Sequence, residues 1–107
     1  MINQDRLYSF IGEQLKSHRE KQGLTQGDLA GLVRLERTSI TNIEGGKQKL
    51  PIHVLYGVCK ALSIAPSDVL PRIEDVLEEP KLERVSMGDF TAVLPLGIAR
   101  LVTGEGI

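Results

Sequence analysis

From Asp5 to Gln22 apolar residues recur at three- and four-residue intervals, with Leu7, Phe10, Ile11 and Leu15 forming a stripe and Glu13, Lys16, Glu20 and Lys21 falling between them. That spacing predicts an amphipathic first helix. Gly23 is a natural residue to end it, and Leu24 can fold back onto the helix end. Thr25 is a good N-cap, with Asp28 three residues later where a carboxylate can answer the open amides of a helix. A second helix therefore starts there, with Leu29, Ala30, Leu32 and Val33 as its apolar positions. A third follows with Ile40 and Ile43 inward and ends at Gly45-Gly46. Only Arg34, Leu35 and Glu36 connect them, so the two helices must cross steeply, with Ala30 small enough to permit the contact.

Further along, Leu55, Val58, Cys59 and Leu62 mark the inward stripe of a fourth helix from about Ile52 to Leu62, with Pro51 near its first turn. Gly57 inside it costs about 1 kcal/mol relative to alanine and hints at close packing or a helix contact. Pro66-Ser67-Asp68 reads as the start of a brief fifth helix ending at Leu70-Pro71, and Ile73, Val76 and Leu77 suggest one more amphipathic segment up to Pro80. The expected fold is thus an all-α domain of five helices over residues 1–71, with a short C-terminal extension over 72–107. That extension is far from polar: Val85 to Val102 carry only Asp89 and Arg100 as charges. Phe90, Val93, Leu94, Leu96, Ile98, Leu101 and Val102 need burial somewhere. FTAVL fits a strand and LGIARLV a short helix, but runs this short are compatible with either period.

Composition narrows the picture. Aromatics are few and tryptophan is absent in the 107 residues, so the core must be aliphatic, which suits a small helical bundle. No apolar run approaches the length needed to cross a bilayer, and the N-terminus lacks a signal pattern, so a cytoplasmic protein is expected. A lone Cys59 cannot form an internal disulfide and reads as core; with only His18 and His53 no metal site and no cofactor is expected. His53, at a helix start, reads as a surface donor. No Ser/His/Asp, Cys/His or paired-carboxylate constellation stands out, so catalytic residues are expected to be absent and the protein is not expected to be an enzyme. The net charge of −1 conceals an asymmetry: residues 1–70 carry nine basic and seven acidic side chains, whereas 71–107 carry four and seven. Within 16–49 seven basic residues face four acidic ones, a modest footprint for phosphate attraction.

On the outward face of the third helix lie Arg37, Thr38, Thr41 and Asn42. Arginine can pair with the two guanine acceptors, asparagine with adenine, and a threonine methyl can meet a thymine methyl, so the row suits major-groove reading. A polar face on any surface helix has a similar composition. Ser39, Lys47 and Lys49 border that helix and the loop after it, where phosphate contacts are expected.

Over about residues 9 to 70 the chain resembles the phage-repressor and Cro-like helix-turn-helix family, often called XRE. The likeness runs through LKSHREKQGLTQGDLA, RTSITNIEGGKQ and LYGVCKALSIAPSDVL in family order and spacing. It implies a lambda-repressor-like domain that binds double-stranded DNA. It also implies a phosphate contact for Gln26, an ion pair between Arg19 and Glu44, and base reading by Arg37, Thr38 and Asn42. Arg34 stands where many members carry the turn glycine, and is a candidate phosphate contact instead. If the Arg19–Glu44 pair is partly buried, its role is structural, fixing the angle of the third helix.

Two functions are compatible with these features. The leading one is a sequence-specific transcriptional regulator, a repressor working as a homodimer on a palindromic operator. The alternative is an antitoxin-like or immunity-like interaction protein whose extension binds a partner protein. In either, Phe90, Leu94, Leu96, Ile98 and Leu101 would form the dimer or partner interface.

Overall fold

The computed structural model describes residues 1–78 together with the backbone of 82–87 and 90–95. The chain divides into two compact units, residues 1–77 and 78–107.

The first unit holds four α-helices: α1 (Gln4–Lys21), α2 (Gln26–Val33), α3 (Arg37–Glu44) and α4 (Ile52–Ala61). Ile11, Leu15, Leu29, Ala30, Ile40, Ile43, Leu55, Val58, Cys59, Leu62 and Val69 close into one aliphatic core. Leu32, expected inward, is 60% exposed. Helix α3 packs on both α1 and α2, and α2 also packs on α4. The approach of α1 to α3 depends on Gly12, because a Cβ there would collide with the carbonyls of Ile43 and Glu44.

Each helix ends by the same device, a left-handed residue followed by a backbone bond reaching back five residues. For α1 the residue is Gly23 (φ 72°), and the Leu24 amide donates to the Arg19 carbonyl at 3.2 Å. For α3 it is Gly46, where a side chain would also strike Ser9 at 2.6–3.0 Å. Two ends use non-glycine residues, Arg34 (φ 57°) and Ser63 (φ 54°). Arg34 thus adopts the backbone that a turn glycine would, and the Leu35 amide reaches the Ala30 carbonyl at 3.0 Å.

The expected fifth helix is a single 3-10 turn, Pro66–Asp68. Asp68 caps it by accepting from the Ala65 amide at 2.9 Å. The turn cannot extend because Pro71 disfavours helical backbone at the residue before it. Within the expected amphipathic segment, Ile73–Asp75 forms a second such turn, with Ile73 exposed and Val76 buried. Residues 72–77, expected with the extension, run with the helical unit: Val76 is buried, its carbonyl accepts from the Asn3 amide at 2.7 Å, and Ile2 pairs with Leu77. The unfilled amide at the start of α1 finds its acceptor there.

In the second unit the all-α expectation gives way to an antiparallel hairpin, β1 (Leu82–Met87) and β2 (Phe90–Pro95), in register from Leu82 opposite Pro95 to Met87 opposite Phe90. Of the two readings open for FTAVL, the strand is the one formed. Among the expected interface residues, Phe90 and Leu94 lie in β2, opposite Met87 and Glu83. Leu96, Ile98 and Leu101 lie outside the described residues.

Candidate nucleic-acid interface

Helix α2 starts where its sequence dictates. The Thr25 hydroxyl accepts from the Asp28 amide at 3.0 Å, and the Asp28 carboxylate accepts from the Thr25 amide at 2.9 Å. The Thr25 amide, with the hydroxyl adding to it, holds the Asp28 carboxyl below its ordinary value. Three residues separate α2 from α3, and the two faces of α3 are distinct. Ile40, Ile43 and Glu44 are buried, whereas Arg37, Thr38, Thr41 and Asn42 are exposed and Ser39 is half-buried. The orientation of this eight-residue helix rests on what holds its buried side, Ile40 and Ile43 in the core and Glu44 beside them.

Part of that hold is ionic. Arg19 on α1 donates from Nε to Glu44 Oε2 at 2.6 Å and from Nη2 to Oε1 at 2.9 Å, while its Nη1 donates to the Leu24 carbonyl at 2.6 Å. The two residues are 7% and 6% exposed. The hydrogen bond to Glu44, against the pull of burial, raises the Arg19 guanidinium above its ordinary value. A forked pair with its spare donor also satisfied is the arrangement in which a buried ion pair is not left short of partners. Among the described residues no buried side-chain nitrogen or oxygen lacks a partner.

Gln26 joins this pair. Its Nε2 donates to Glu44 Oε1 at 3.1 Å, and its Oε1 accepts from the Thr41 hydroxyl at 2.8 Å. The family resemblance implies a phosphate contact for Gln26, and the structure adds this link between the ion pair and the exposed face. Gln26, Gly27 and Arg37 line one shallow depression at the start of α2. Lys47 and Lys49 are exposed just past α3. Arg34 lies on another side of the turn, bordering an apolar groove with Leu32, Val33, Leu35, His53, Val54, Gly57, Lys60 and Ala61. Gly57 faces open space there, so the close contact expected at this glycine is not made.

Buried Cys59 has its thiol pushed up by burial and by Asp68, away from reactivity. Among the described residues no cluster of three or more His, Cys, Asp or Glu could hold a metal, and no helix is long and apolar enough to cross a membrane.

Two short packed helices joined by a three-residue turn, the second with an exposed polar face and a buried ion pair behind it, define a helix-turn-helix protein of the DNA-binding regulator class. The chain belongs to the helix-turn-helix domain family, whose model matches residues 11–71, and within it to the phage-repressor and Cro-like kind. It is similar to the restriction-modification controller protein C.AhdI of Aeromonas hydrophila at 27% identity, covering 59% of this chain and 96% of that one, with a TM-score of 0.57. The clp gene regulator ClgR of Corynebacterium glutamicum matches at 29% identity over 58% of this chain and 66% of that one, with a TM-score of 0.57. An HTH_3 family transcriptional regulator of Vibrio cholerae matches at 26% identity over 62% and 37%, with a TM-score of 0.59. No curated protein matches the chain.

Proposed function

We propose that this protein is a sequence-specific repressor that binds a palindromic operator as a homodimer. The observation that carries the reading is α3 itself: Arg37, Thr38, Thr41 and Asn42 are exposed while the opposite side is locked to α1 by a buried ion pair. Inserted in the major groove, that face offers arginine to guanine, asparagine to adenine and threonine methyls to thymine. Gln26, Ser39, Lys47, Lys49 and, from the other side of the turn, Arg34 hold phosphates and set register without reading sequence. The similar proteins described as a restriction-modification controller and a gene regulator support a regulatory role.

One unit reads half a site, so two copies are needed to span a palindrome. The extension is the proposed dimer contact. A two-stranded hairpin is marginal alone, and its apolar sequence calls for cover, which a second copy supplies through Phe90, Leu94, Leu96, Ile98 and Leu101. Bound over a promoter, such a dimer excludes polymerase. The test is to footprint the purified protein on DNA upstream of its own gene and to read a reporter driven by that DNA. A protected two-fold symmetric site with reduced reporter output is the expected result; uniform binding without a footprint contradicts it.

A further inference from the structure

Thr41 is an exposed hydroxyl whose single proton is already placed. Its Oγ1 donates to Gln26 Oε1 at 2.8 Å, and the second acceptor within reach, the Arg37 carbonyl at 3.1 Å, also belongs to the protein. Gln26 could offer Thr41 either end of its amide, and Glu44 decides which. A carboxylate only accepts, so the Gln26 nitrogen must face Glu44 and its oxygen must face Thr41. Glu44 is in turn fixed by both forks of Arg19. The second Gln26 N–H is left over and can still meet a phosphate, so the two roles are compatible.

We propose that Arg19, Glu44 and Gln26 form a relay that sets the polarity of Thr41, so that Thr41 meets DNA as a hydrogen-bond acceptor and selects an exocyclic amino group, adenine N6 or cytosine N4, in the major groove. A free hydroxyl would suit donors and acceptors alike and would discriminate poorly. One whose proton is held inward presents only oxygen lone pairs and a methyl group, and the groove's only donors are those two amino groups. Gln26 is accordingly a positioning residue for specificity, acting through Thr41. This inference rests on the DNA-reading proposal.

The test begins with duplexes selected by the wild-type protein from a randomised library. In the selected site, single groups are then deleted with base analogues: purine for adenine and 2-pyrimidinone for cytosine remove the amino groups. The 7-deazapurines remove N7, 2-aminopurine for guanine removes O6, and 5-methyl-2-pyrimidinone for thymine removes O4. Each is titrated with wild type, Thr41→Val, Thr41→Ser and Gln26→Ala, all checked for unchanged thermal melting. One amino deletion should weaken wild type and Thr41→Ser about threefold to tenfold, the range for one hydrogen bond. It should weaken Thr41→Val, which keeps the methyl but has no hydroxyl, less than about twofold, and Gln26→Ala by an intermediate factor. A Thr41-dependent loss at N7, O6 or O4, or none at any position, overturns the proposal, and a full loss in Gln26→Ala overturns the relay. If no duplex is enriched over random sequence, the DNA-reading proposal itself fails, a result separable from the others at the first step.

Discussion

Two glycines that look alike in the sequence behave oppositely in the fold. Gly12 and Gly57 both interrupt helical patterns, but only Gly12 lies against backbone, where the carbonyls of Ile43 and Glu44 leave no room for a methyl group. Gly12→Ala should therefore push α1 from α3 and lower stability by about 1–3 kcal/mol, as overpacking does. Gly57→Ala adds a methyl to open space and should raise stability by about 0.4–1 kcal/mol, chiefly by restricting the unfolded chain. Denaturant melts of the two variants in parallel check both signs. The difference was hidden from the sequence because it depends on a neighbour some thirty positions away. Arg34 differs again: arginine gives no local signal for a left-handed backbone, and only its place at the family's turn glycine pointed to one. Gln26 was legible as the residue that begins α2, but its link to Thr41 and Glu44 needed the packed helices.

At the scale of single elements much more could be read in advance, because helix ends are written in adjacent residues. Thr25 and Asp28 start α2 as their spacing requires, and Gly23 and Leu24 close α1 likewise. The fifth helix failed because a three-residue turn hemmed in by Pro71 has no room to propagate. The capping box has a pH signature. Asp28 is held below its ordinary value in the fold, so its contribution is fully present above the unfolded value, about 3.9, and is lost as pH falls through the lower folded value. The melting difference between wild type and Asp28→Ala should accordingly persist at neutral pH and close on acidification below that range. A difference that widened on acidification would contradict the assignment. The ion pair joining α1 to α3 is a larger matter: Glu44→Ala leaves Arg19 buried without its partner and should cost about 3–5 kcal/mol in a denaturant melt. It should loosen the exposed polar face of α3 with it.

For the whole molecule, sequence periodicity and family likeness located the helical unit, since both depend on patterns that repeat within it. The end of that unit was less legible: residues 72–77 stay with it through backbone bonds to Ile2 and Asn3, which no apolar period announces. The central claim is that α3 reads sequence, and competition titrations of wild type, Asn42→Ala and Lys47→Ala on the selected operator and on random duplex, over a range of salt, test it most directly. Asn42→Ala should lose about 1–3 kcal/mol on the operator and little on random DNA. Lys47→Ala should weaken both alike and lower the logarithmic salt slope by about one. Equal losses on operator and random duplex for Asn42→Ala would contradict the account.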